Sequence, residues 1–168
     1  MAETPSITPS PITAAVLTIS DSCARGERED KSGSAVAQLL EKLKFSITAR
    51  EVVPDDTTHI EDVLMRLSEQ VRLIVTTGGT GIAPRDVTPE ATRRVCDRLI
   101  DGVAERMRTE GVKKTPYATL SRAVCGVRGQ CLILNLPGSP TGAVESLEAV
   151  ANLLSHAIDL LSGKTEHN

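Results

Sequence analysis

Tryptophan is absent from this 168-residue chain, and Phe45 and Tyr117 are its only aromatic residues, 1% of the total. A platform for single-stranded nucleic acid stacks bases on several aromatic faces, so that function is excluded. A membrane aromatic belt and a Trp/Tyr-rich protein interface are excluded with it. Excess positive charge is missing too: 19 basic against 22 acidic residues give a formal net charge of −3. Such a balance offers DNA or RNA no electrostatic footprint. No apolar run nears the ~20 residues of a transmembrane helix. The four cysteines (Cys23, Cys96, Cys125 and Cys131) have no CxxC spacing, and no basic-then-apolar leader pattern is seen. The expectation is reduced thiols in the cytoplasm. What remains is 40% hydrophobic, one domain's worth of chain whose core must be Leu, Ile, Val and Ala.

Residues 1–13, with Pro5, Pro9 and Pro11 among Ser and Thr, read as a disordered arm, 14–163 as the domain, and 164–168 as a short tail. Within the domain, strand-like and helix-like segments alternate. Ala14–Ser20, Ser46–Val53, Leu73–Thr77 and Cys131–Leu136 are short apolar or β-branched runs bounded by turn residues. Ser32–Lys44 places Val36, Leu39, Leu40 and Leu43 at helical spacing. Thr58 with Glu61 fits a capping box for a second helix. Thr88-Pro89-Glu90 reads as a helix start with Thr88 as N-cap. Arg93–Arg98 and Val103–Met107 read as two helical pieces broken near Asp101-Gly102. The last helix follows Pro140, carries a stripe through Val144, Leu147, Ala151, Leu154, Ile158 and Leu161, and stops near Gly163. This alternation predicts an α/β fold: three layers, α/β/α, with a mostly parallel central sheet.

In such sheets ligands sit beyond the carboxyl ends of the strands. Four exits are rich in polar or turn residues: Ser20-Asp21-Ser22, Pro54-Asp55-Asp56, the loop from Gly78 to Val87, and Pro137-Gly138-Ser139-Pro140. The third holds Gly78, Gly79 and Gly81 around Thr80, which leaves backbone N–H groups uncovered as in a phosphate-cradling nest. It is neither a Walker A loop nor a dinucleotide fingerprint, since no Gly-Lys-Ser/Thr follows and Pro84 stands where a third spaced glycine belongs. Asp55 and Asp86, at neighbouring exits beside the glycines, suit Mg²⁺–phosphate chemistry, although each could instead be a simple turn former. Lys113, Lys114, Arg122 and Arg128 form a sparse basic set, either a solvated face or an anion site. His59, His156 and His167 have no ligand spacing, and no metal-ligand set is assigned.

Thr77-Gly78-Gly79-Thr80-Gly81 followed by Arg85-Asp86-Val87-Thr88-Pro89-Glu90-Ala91-Thr92 closely resembles the signature of the molybdopterin-binding proteins of molybdenum cofactor biosynthesis. Leu17–Asp21 with Asp30–Gly33, Leu120-Ser121-Arg122 through Gly126-x-Arg128-Gly129, and Leu132–Pro140 carry the resemblance from about Ala14 to Gly163. The intact Arg-Asp-Val-Thr-Pro resembles the MogA type, the molybdopterin adenylyltransferases, more than the MoaB type. The resemblance implies transfer of AMP from Mg-ATP to the molybdopterin phosphate, release of pyrophosphate, a homotrimer, and a molybdenum insertase (MoeA-like) as downstream partner. It places the two functional aspartates on Asp55 and Asp86. ATP and molybdopterin binding are expected at Ser20, Asp21, Gly78, Gly79, Thr80, Gly81, Arg85, Thr88, Ser121, Arg122, Pro137, Gly138 and Ser139. Members often carry Asn or Gln where Ser139 stands. The alternatives are a molybdopterin-binding (MoaB-like) or scaffold protein without catalysis, and a nucleotide-acting member of the related competence-damage-inducible family. With two flat ligand rings and almost no aromatics, recognition is expected from backbone groups, short polar side chains and aliphatic contacts.

Overall fold

Every residue of Leu73–Thr77 is buried, as is every residue of Cys131–Leu136, so both runs lie inside a sheet covered on two faces. The computed structural model describes residues 9–164. Its strands are β1 (Thr13–Ile19), β2 (Ser46–Val53), β3 (Leu73–Thr77), β4 (Arg98–Leu99), β5 (Cys125–Arg128) and β6 (Cys131–Leu136). The helices are α1 (Asp21–Ala24), α2 (Lys31–Lys42), α3 (Thr57–Ser68), α4 (Thr88–Val95), α5 (Asp101–Val112) and α6 (Pro140–Leu161), with a 3₁₀ turn at Pro116–Leu120. The sheet order is β2-β1-β3-β6-β5-β4. The first four strands run parallel, and β5 and β4 are antiparallel additions at one edge.

Strand alternation divides the core into two layers. Val16, Val75 and Leu134 face Leu40 of α2, Met107 of α5 and Leu147 of α6, whereas Leu17, Ile74 and Ile133 face Leu64 of α3 and Ala91 of α4. The three-layer α/β/α expectation is met. Aliphatic residues dominate both layers, joined by Phe45, Met107 and Cys125 in the first and by Cys131 in the second, which holds no aromatic ring.

Several local expectations are corrected. Asp56, not Thr58, caps α3: its carboxylate accepts from the His59 amide at 3.0 Å and starts the helix at Thr57. Thr88 is not an N-cap either. It lies inside α4, fully buried, and its hydroxyl donates to the Gly78 carbonyl at 2.9 Å. The helix after it ends at Val95 rather than Arg98, because Cys96 turns extended and Arg98–Leu99 joins the sheet edge. Asp101-Gly102 opens α5 instead of breaking a helix. β5, absent from the sequence reading, pairs with β6 through the turn at Gly129-Gln130. On α6 the buried stripe is Ala143, Leu147, Val150, Leu154 and Ile158, so Val144 and Ala151 lie beside it. Thr13 is already in β1, and the Ile12 carbonyl accepts from Ser46 at 2.9 Å. The rest of the expected arm before residue 9, and the tail after 164, lie outside the described residues.

Candidate functional site

The carboxyl ends of β1, β2, β3 and β6 deliver the four polar exits to one edge of the sheet. β1 pairs with both β2 and β3, so the crevice where strand order reverses opens above it. The Gly78 amide donates to Leu136 at 3.1 Å and the Ser20 amide to Val53 at 2.9 Å, which ties the exits together. Gly78 (φ 96°) and Gly79 (φ 68°) take the left-handed conformation that L side chains avoid. A side chain at Gly78 would also run into the Ile19 carbonyl, and one at Gly79 would meet Asp55 Oδ1 at 3.3 Å as well as the Thr88 hydroxyl. Glycine is required here by close approach as much as by torsion. The amides of Gly79, Thr80 and Gly81 donate no hydrogen bond among the described residues.

Beside this loop lies a cavity of about 670 Å³. Gly79, Thr80, Gly81 and Asp86 form one wall and Pro137, Gly138 and Ser139 a second, and Ser121 also lines the cavity. Sequence reasoning missed the opposite wall. There Ala104, Met107, Arg108 and Gly111 recur on one face of α5, and Tyr117 and Leu120 close the rim. The i, i+3, i+4, i+7 spacing was legible, but it gains meaning only once Asp101 is known to start the helix. Lys114, from the sparse basic set, is 3.3 Å from Glu145 at the cavity, whereas Arg128 points away and donates to Val95. Phe45 is in the core, so Tyr117, 77% exposed, is the one aromatic ring within reach of a cavity ligand.

Of the expected residues, Ser20, Asp21, Asp55, Gly78, Arg85, Thr88 and Arg122 are not part of the cavity lining. Asp21 and Asp55 exchange hydrogen bonds, each carboxylate accepting the other's amide at 3.0 Å. Arg85 reaches from the glycine loop to Asp21 at 2.5 and 3.0 Å and to the Asp55 carbonyl at 3.3 Å. The Arg85 bond, helped by the Asp55 amide, holds the Asp21 carboxyl below its ordinary value. Burial pushes the Asp55 carboxyl up, and the charges of Asp21 and Asp86 act the same way against the Asp21 amide. Ser20 caps α1 through the Cys23 amide at 3.2 Å, and Ser139 caps α6 through Gly142 at 3.1 Å. Asp86 accepts from the Ala83 amide at 3.0 Å, so it shapes its turn and faces the cavity at once.

Comparisons with known proteins bear on this arrangement. A family profile described as "Probable molybdopterin binding domain" matches residues 15–156. The chain belongs to this family. It is 42% identical over 155 residues to a protein named molybdopterin adenylyltransferase from Helicobacter pylori, covering 88% of this chain and 86% of the relative. It is also 42% identical to the Drosophila melanogaster molybdenum cofactor synthesis protein cinnamon, of which it spans only 26%. Among solved structures, the molybdopterin biosynthesis enzyme MoaB of Thermus thermophilus superimposes with a TM-score of 0.86 at 52% identity, covering 91% of this chain and 98% of that one. The Mog protein of Mycobacterium ulcerans gives 0.85 at 41%, covering 92% and 99%. The molybdopterin-binding domain therefore occupies nearly the whole described chain, and the cavity belongs to it.

Proposed function

We propose that this protein is a molybdopterin adenylyltransferase, moving AMP from Mg-ATP onto the terminal phosphate of molybdopterin with release of pyrophosphate. The observation that carries the reading is the pairing of an open glycine loop with the Asp86 carboxylate on one wall of a large cavity. Relatives at 40–42% identity over most of the chain carry that activity in their names. Amides at Gly79, Thr80 and Gly81 are available to phosphate oxygens, as a nest requires.

The reaction needs no strong base, because a phosphate monoester is already anionic at neutral pH. One phosphate oxygen attacks the ATP α-phosphorus in line, the α–β bridging P–O bond breaks, and pyrophosphate carries away the electron pair. Positioning and charge neutralisation supply the catalysis. Asp86 orients the triphosphate side of the cavity, and Asp55 positions the metal or the attacking group. The donor set fits Mg²⁺: Asp55 Oδ1 lies 3.3 Å from where a Cβ at Gly79 would stand and Asp86 Oδ2 2.8 Å from one at Gly81, so two carboxylates approach one loop, and Mg²⁺ is content with one or two plus phosphate oxygens. Asp55 and Asp86 would hold it, and when bound it neutralises charge on the triphosphate.

A homotrimer, a molybdenum insertase that takes the adenylylated product and a cytoplasmic location complete the proposal. No described helix is long and apolar enough to cross a membrane. The test is pyrophosphate release on adding molybdopterin and Mg-ATP. Release that requires both substrates and falls at least a hundredfold in Asp86→Asn is expected. The alternative already named from the sequence is molybdopterin binding without transfer. It predicts tight pterin binding and no pyrophosphate.

A further inference from the structure

The side chain of Arg122 spends all its nitrogens on the glycine loop and on α4. Its Nε donates to the Gly81 carbonyl at 2.7 Å, its Nη2 to the Asp86 carbonyl at 2.7 Å, and its Nη1 pairs with Glu90. Its backbone amide donates to Thr80 at 2.8 Å. One planar guanidinium thus grips both ends of the 81–86 segment and the first turn of the helix that follows. Asp86 sits at the second grip, and its carboxylate reaches the cavity wall. A substrate phosphate would have to displace these protein acceptors to reach Arg122, which lies outside the cavity lining.

We propose that Arg122, anchored by Glu90, is a positioning residue that sets Asp86 at the cavity and does not itself touch the triphosphate. Lysine keeps the charge but has no planar fork, so it cannot hold the two carbonyls and Glu90 in the same geometry. The activity arm rests on the adenylyltransferase reading, and the structural arm does not.

The experiment combines a double-mutant cycle with amide hydrogen exchange, using Arg122→Lys, Glu90→Gln, Asp86→Asn and the double variant Arg122→Lys/Asp86→Asn. Arg122→Lys is expected to lower kcat on the order of tenfold to a hundredfold, with the KM for ATP held within about threefold. In the Asp86→Asn background the same change costs less than about threefold, because its effect runs through Asp86. Glu90→Gln, which keeps the arginine, moves kcat the same way by a smaller factor. Exchange at the hydrogen-bonded amides of this segment, Ala83, Asp86 and Thr88, rises in both Arg122→Lys and Glu90→Gln while the rest of the chain is unchanged. Fully additive losses with a raised KM for ATP would place Arg122 on substrate and overturn the proposal, as would unchanged exchange at those amides. If the wild type transfers no AMP, the functional reading fails and the exchange result alone decides the clamp.

Discussion

Asp21 and Asp55 form a reciprocal pair: each carboxylate accepts the other's backbone amide at 3.0 Å, joining the exits of β1 and β2. The two carboxyls are nevertheless driven in opposite directions. Asp21 faces Arg85 and is held below 3.8, whereas burial lifts Asp55 above it. Perturbed titratable groups cluster at functional sites, and structural ion pairs such as Arg85–Asp21 produce the same kind of shift.

The Asp55 shift gives a stability prediction. At neutral pH the carboxylate is charged in both states, and the folded state bears the cost of burying it. As pH falls through the raised folded value, the folded carboxyl takes up its proton first and the cost fades, vanishing once pH drops below the unfolded value near 3.8. Asp55→Asn is therefore expected to melt at a higher temperature than wild type at pH 7. That advantage should shrink across the acid range just above pH 4, and parallel melting curves at pH 7 and pH 4 measure it.

Two glycine substitutions should have opposite signs. Gly78→Ala places a Cβ against the Ile19 carbonyl at φ 96° and should destabilise by at least about 1–3 kcal/mol. Gly102, in the first turn of α5, has open space where a Cβ would go. Gly102→Ala should gain roughly 0.4–1 kcal/mol. Urea unfolding of the two variants checks both signs.

Cys125 and Cys131 are buried, with thiols pushed by that burial to about 12, and Cys96 is raised to about 11. Cys23 and Cys96 are only partly buried, but the Cys96 thiol is the one raised by burial. Alkylation of the native protein at pH 8 should label Cys23 first and leave Cys125 and Cys131 unmodified until denaturant is added. Peptide mapping by mass spectrometry reads the order.

On the proposed reading, in which backbone groups and aliphatic contacts hold adenine, Tyr117→Leu should change the KM for ATP less than about threefold. A rise of tenfold or more, near the ~1–3 kcal/mol of an aromatic–base stack, would place the ring on Tyr117 instead.

The sheet's parallel half and the four exits were legible because apolar runs and turn residues report local chain behaviour. Leu73–Thr77 needed no partner to be recognised. The errors fall where a tertiary contact overrides local chemistry. Thr88 looks like an N-cap by type, yet its hydroxyl is taken by the Gly78 carbonyl across the loop. β5 is four residues with a glycine at its second position, and only pairing with β6 makes it a strand. Arg122, which the sequence leaves open between a solvated face and an anion site, is a different case: its engagement by Gly81, Asp86 and Glu90 depends on how the segment before β5 crosses the glycine loop. The α5 wall of the cavity stayed hidden because its face is set by where the helix starts.

The central claim is tested most directly by incubating the protein with molybdopterin and Mg-ATP labelled at the α-phosphate. The account predicts label in a molybdopterin–AMP product, one pyrophosphate for each product, and loss of both in Asp86→Asn. Molybdopterin bound by the wild-type protein with no label transferred would contradict it.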